Sequence, residues 1–219
     1  MHERTVLLAG ATSASGLAAT RALLHARAQV VAVGRDAARL AALADLGART
    51  EICDLADEAA VDALVTALHS EGVRVDGILH LVGGWRGGGG LPDQTDADYR
   101  ALEGGLTSLR HVSRALWDDL IDSRAARTAI VSSTAVARPL AGGANYAAVK
   151  AAEEAWARAM AQAFARAARD AGTPLAAASV IFRVRALTGL EDALADAFVG
   201  LWDADAAAIN DTVIELAAG

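Results

Sequence analysis

The chain has 219 residues, 54% of them hydrophobic but only 4% aromatic, and a formal net charge of −7. That balance excludes a general nucleic-acid or anionic-membrane binder, which needs basic patches, and leaves alanine, leucine and valine to fill one continuous core. One cysteine, Cys53, cannot form an internal disulfide, no apolar run reaches a membrane span, and no signal-peptide pattern precedes the first strand. A single domain over residues 1–219, a cytoplasmic location and no metal site are expected.

In chain order, short β-rich apolar runs alternate with longer alanine-rich segments of helical period. Strands are expected at 5–9, 29–33, 50–52, 77–82, 128–132, 176–182 and 212–216, and helices near 16–27, 37–46, 57–71, 96–121, 145–171 and 190–202. This alternation specifies a parallel sheet covered on both faces, with right-handed crossovers. Ligands of such sheets gather at the carboxyl ends of the strands. Residues 87–90 are four glycines after a strand end and read as a mobile loop.

The first strand ends in Ala9-Gly10-Ala11-Thr12-Ser13-Ala14-Ser15-Gly16-Leu17. Gly10 allows a tight turn, Gly16 allows the next helix to approach the sheet, and that helix's N-terminus offers free N–H groups to a pyrophosphate. A plain strand-to-helix turn could look the same; its place between the first strand and first helix favours the nucleotide. The second strand ends Val33-Gly34-Arg35-Asp36. An acid at the tip would bind a ribose 2′-hydroxyl, whereas Gly34 followed by Arg35 suits a 2′-phosphate, with Ser13 able to assist. NADP(H) is therefore expected over NAD(H), unless Arg35 is merely solvated.

Lys150 is the only lysine among 20 basic residues, and it stands four after Tyr146. One helical turn puts the ammonium and the phenol on the same face. A phenol is a poor acid near neutrality, and a cation beside it favours the phenolate.

Together these residues resemble the short-chain dehydrogenase/reductase family, Rossmann-fold oxidoreductases that use nicotinamide cofactors. The likeness continues through Asp54-Leu55, Asp76-Gly77-Ile78-Leu79-His80-Leu81-Val82-Gly83, Ile130-Val131-Ser132-Ser133 and the tail Ile209-Asn210-Asp211-Thr212-Val213-Ile214-Glu215. It implies an α/β doubly wound parallel sheet of about seven strands. It also implies Tyr146 as general acid/base, Lys150 lowering its pKa and holding the nicotinamide ribose, and Ser133 hydrogen-bonding the reacting oxygen. Cofactor contacts are implied at Gly10, Thr12, Ser13, Ser15, Gly16, Leu17, Asp54, Leu55, Val82, Gly83, Gly84, Tyr146, Lys150 and Thr188, beside Arg35. A homodimer or homotetramer is implied too, and Trp156, Met160 and Phe164 are expected in the core or at a subunit contact.

Four departures from the family pattern stand out. Ala14 replaces the middle glycine of the phosphate turn. His80-Leu81-Val82-Gly83 replaces Asn-Asn-Ala-Gly, and His80 reads as a packed strand-end histidine. The family's relay asparagine falls at Gly105, and Gly104-Gly105 inside a helix predicts a local distortion. Arg183-Val184 replaces Pro-Gly, and the substrate-covering lid after strand six is reduced or absent. The cleft should then be open, or closed by another element. Gly83-Gly84-Trp85 resembles the dihydropteridine reductases of the same family, so Trp85 could stack on a flat substrate. Arg183 and Arg185, two apart on a strand, could hold an anionic substrate or form solvated salt bridges. The reading is an oxidoreductase moving hydride between NADP(H) and a small-molecule carbonyl or alcohol. The alternatives are a dihydropteridine-reductase-like enzyme or a nucleotide-binding sensor or scaffold of weak activity.

Overall fold

The computed structural model describes residues 4–217. Seven strands, β1 (Thr5–Ala9), β2 (Gln29–Gly34), β3 (Arg49–Ile52), β4 (Gly77–His80), β5 (Arg127–Ser133), β6 (Ala178–Val184) and β7 (Thr212–Glu215), form one sheet in the order β3-β2-β1-β4-β5-β6-β7. Every neighbouring pair is parallel. The helices are α1 (Ala14–His25), α2 (Ala37–Ala44), α3 (Glu58–Ser70), α4 (Asp96–Ala115), α5 (Trp117–Asp122), α6 (Ala144–Ala171), α7 (Glu191–Gly200) and α8 (Ala206–Ile209).

Strand alternation sorts the core into two layers. Val6 and Leu8 of β1 join α1, α2 and α7 through Leu23, Leu40 and Phe198. Leu7 and Ala9 join α3, α4 and α6 on the other face through Leu68, Val112 and Phe164. Each fully buried leucine of this kind contributes about 1.5–3 kcal/mol. The strand order reverses at β1, whose neighbours are β2 and β4, and the crevice beyond their carboxyl ends is where such sheets bind ligands.

Three expectations need correction. The helix expected over 96–121 is two helices. Leu116 leaves helical geometry (φ −98°, ψ 8°), which lets Trp117 stack on Phe164 with ring centroids 5.0 Å apart. No helix break occurs at Gly104-Gly105: α4 runs unbroken to Ala115, because packing rather than helix propensity sets residue 105. And the glycine stretch 87–90 is tied down rather than free, as described below.

Two buried polar residues fasten the sheet. The Arg127 guanidinium donates to the carbonyls of Leu201, Ala126, Ala176 and Ala204 at 2.8–2.9 Å, joining the start of β5 to the segment after α7. His80, the last residue of β4, is 2% exposed. Its Nε2 lies 3.0 Å from the Gly105 carbonyl oxygen; a carbonyl only accepts, so Nε2 carries the proton and ties β4 to α4. Burial, with the Lys150 charge second, holds the His80 imidazolium down at about 3.

Arg127→Leu should lower unfolding stability by about 3 kcal/mol, because several buried carbonyls lose their donor; urea denaturation measures it. For His80 the folded value lies below the ordinary one of about 6.5, so its stabilising contribution is complete above that pH and is lost as pH falls toward 3. Stability curves of wild type and His80→Asn should therefore diverge on acidification, wild type losing up to about 1.4 kcal/mol per pH unit more.

Candidate active site

The crevice holds a cleft of about 1450 Å³ running into a second hollow of about 730 Å³, the two sharing Ser13, Val82, Gly83 and Trp85. The smaller end lies over the turn between β1 and α1. Gly10 and Ala11 donate to Val33 O at 3.1 and 3.0 Å, and Ser13 caps α1 by accepting from the Gly16 amide at 3.0 Å. A Cβ at Gly16 would collide with Ala11 O, and one at Gly10 (φ 81°) would lie 2.9 Å from Val82 N. Glycine is therefore required at both, and α1 starts close against the sheet with its first amides at the crevice. Ala14 lines neither cavity. This cradle fits a dinucleotide pyrophosphate.

At the adenosine end Gly34, Cys53, Asp54 and Leu55 line the hollow. Arg35 is exposed there, and a second arginine, Arg39, joins it. Asp36 caps α2 by accepting from Arg39 N at 3.1 Å, and Arg39 Nη2 donates to Thr12 O at 2.6 Å. The capping aspartate and the spacing of four could have revealed Arg39 in the sequence. Asp54 Oδ1 accepts from Ala56 N at 3.1 Å. Burial pushes the Cys53 thiol up, with Asp54 adding to the effect. Leu17 lines neither cavity: its amide donates to Ser13 O at 3.0 Å and its side chain packs on the core.

At the larger end Ser133, Tyr146 and Lys150 line one cavity with Val82, Gly83, Gly84 and Thr188. Ser133 ends β5, 4% exposed, and its Oγ accepts from Ala135 N at 3.1 Å. Tyr146 stands in the first turn of α6 and Lys150 one turn on. Lys150 Nζ donates to Val131 O at 2.9 Å and to Glu153 Oε2 at 2.7 Å. That acidic neighbour, three residues after the lysine, went unremarked in the sequence.

Of the three substrate candidates, Trp85 lies at the cleft, 65% exposed, and Arg185 lines it too, with Arg138. Arg183 does not. Its guanidinium grips Glu154 at 2.8 Å, and Ser132 Oγ donates to the same carboxylate at 2.7 Å. Period-two reasoning failed because β6 ends at Val184, so Arg185 is released from the pleat.

The glycine segment forms one wall of the cleft through Gly88 and Gly89. Gly88 N donates to Gly142 O at 2.7 Å, and the Gln94 amide donates to Gly88 O and Gly142 O at 3.2 and 3.1 Å. Asn145 N donates to Gln94 Oε1 at 3.2 Å. This wall follows β4.

The described residues contain no cluster of metal-ligating side chains and no helix long and apolar enough to cross a membrane. No curated protein matches the chain. Among solved structures it is similar to a short-chain type dehydrogenase/reductase from Mycobacterium ulcerans, at 18% identity and TM-score 0.85 over 99% of this chain and 89% of that one. A gluconate 5-dehydrogenase from Burkholderia cenocepacia J2315, in complex with NADP and tartrate, aligns at 21% identity and TM-score 0.82, covering 99% of this chain and 94% of that chain. An NADPH-bound short chain oxidoreductase from Pseudomonas aeruginosa PAO1 with an atypical catalytic center aligns at 20% identity and TM-score 0.82, over 99% and 97%. These likenesses establish the fold. The family model for short chain dehydrogenases matches residues 4–168, and the chain belongs to that family of oxidoreductases.

Proposed function

We propose that this protein is an NADP(H)-dependent oxidoreductase that interconverts a small carbonyl compound and its alcohol, with Tyr146 as general acid/base. The observation that carries this reading is that Ser133, Tyr146 and Lys150 line one wall of the cleft whose other end is the phosphate cradle. A sensor or scaffold would need only the cradle.

A nicotinamide cofactor held in this cleft would supply or accept the hydride. The chain's own residues manage the oxygen. In reduction Tyr146 donates its phenolic proton to the carbonyl oxygen as negative charge develops there, and in oxidation it takes that proton back. Ser133 lies at the end of a rigid strand, and its hydroxyl donates to the same oxygen, stabilising the charge without reorganisation. Lys150, fixed by the Val131 carbonyl, stands one helical turn after Tyr146 and on the same side of α6. Gly10, Thr12, Ser13 and Ser15 hold the pyrophosphate, Asp54 and Leu55 the adenine, and Val82, Gly83, Gly84 and Thr188 the nicotinamide end. Arg35 and Arg39 hold the 2′-phosphate. Gly34 supports that choice, since no carboxylate at the strand tip competes for a ribose hydroxyl.

The substrate end carries Arg138 and Arg185, and none of its lining residues is acidic. This favours a carbonyl substrate bearing a negative charge, held against the exposed face of Trp85. The α4–α6 face, where Trp117, Trp156 and Met160 line a hollow of about 390 Å³, is the proposed contact of a homodimer or homotetramer.

Tyr146→Phe should lower kcat/KM for carbonyl reduction by about 10²–10⁴-fold while NADPH still binds. Steady-state rates from a screen of keto acids, neutral ketones and quinonoid pterins, with fluorescence titration of NADPH, decide this; wild-type turnover by the variant would refute the assignment. Replacing Arg35 and Arg39 together by alanine should weaken NADPH binding roughly tenfold to a hundredfold, the worth of charge-assisted bonds of about 1.5–3 kcal/mol, and leave NADH binding as it was. Equal losses for the two cofactors would sink the 2′-phosphate assignment.

A further inference from the structure

Glu153 takes no part in the mechanism above, yet it touches it. It lies three residues after Lys150 on α6, so both side chains project from the same side of the helix. The carboxylate side chain is 1% exposed, and Oε2 accepts from Lys150 Nζ at 2.7 Å. Its Oε1 occupies the space beside Gly105 on α4: a Cβ placed on that glycine would lie 2.8 Å from Oε1 and 3.2 Å from Val82 O. A carboxylate so buried is costly unless paired, and burial does push its acidity down, with Lys150 opposing.

We propose that Glu153 is a positioning residue for the Tyr146–Lys150 pair, its carboxylate filling the room left by Gly105 and holding the Lys150 ammonium charged and aimed into the cleft. The inference rests on the reading of Tyr146 as acid and Lys150 as its cation. An ammonium has three N–H donors. One goes to Glu153 and one to Val131 O, which leaves the third for the cleft. Positions 105 and 153 are then a coupled pair, because any side chain at 105 would displace the carboxylate.

The other groups facing this pair do not substitute for Glu153. His80, from β4, is kept neutral by burial and turns its N–H to Gly105 O. Glu154, next on the helix, is taken up by Arg183 and Ser132. Gly105 itself offers only a carbonyl. Glu153 is the one ion-pair partner of Lys150 among the described residues, and a buried ammonium left unpaired tends to its neutral form. Tyr146 would then lose the positive charge one turn along its helix.

The composition makes this measurable without turnover, since the protein has one lysine and two tyrosines, Tyr99 and Tyr146. In a Tyr99→Phe background, the ¹³Cε signal of labelled lysine reports Lys150, and tyrosinate absorbance reports Tyr146. Measured against wild type, Glu153→Gln should lower the Lys150 midpoint and raise that of Tyr146, with circular dichroism confirming the fold across the titration. Gly105→Ala, a change that ordinarily favours a helix, should produce the same pair of shifts, and it serves as the test if Glu153→Gln does not fold. Movement of Lys150 with Tyr146 unmoved or moved down would make Glu153 a structural ion pair and overturn the proposal, as would no movement of either. A failure of the catalytic reading would show separately, as full turnover by Tyr146→Phe.

Discussion

Burial of charge on one face of α6 governs the half of the cleft that holds Tyr146 and Lys150. Lys150, Glu153 and Glu154 are all under 9% exposed, and a buried charge persists only where something pairs it. Lys150 answers Glu153 and a carbonyl of β5, while Glu154 answers Ser132 on β5 and Arg183 on β6. These ties leave the helix one rotation and one height over the sheet. Tyr146, a turn before Lys150, shares that register.

The cofactor half depends on the opposite device, the removal of atoms. Where β1 passes into α1, two positions have no room for a β-carbon, and the helix amides come up to the crevice as a result. The same economy operates at Gly105, where the absence of a side chain lets a carboxylate enter the protein. Both halves meet at Val82 and Gly83, which border the cradle on one side and Lys150 on the other.

Much of this was legible in the sequence. Alternating strand and helix periods disclosed the parallel sheet, because parallel strands buried on both faces leave continuous apolar runs. The spacing of Ser133, Tyr146 and Lys150 disclosed one wall of the cleft. What stayed hidden depended on where elements stop. A pleat that ends at Val184 sends Arg183 inward to Glu154 and leaves Arg185 at the cleft, and no periodicity marks that end. Arg39 needed the cap of α2 to be known. Glu153 looked like one more charge on a long helix; only the space opposite Gly105 explains why it is inside. The glycine stretch 87–90 misled in the other direction, since composition suggests freedom while Gln94 and Gly142 bind it.

The tied glycine wall has an energetic meaning. Because Gln94 and Asn145 join it to the first turn of α6, the ordering entropy of that segment is met when the chain folds. A molecule that rests against this wall meets a surface already in place, so more of its contact energy survives as affinity.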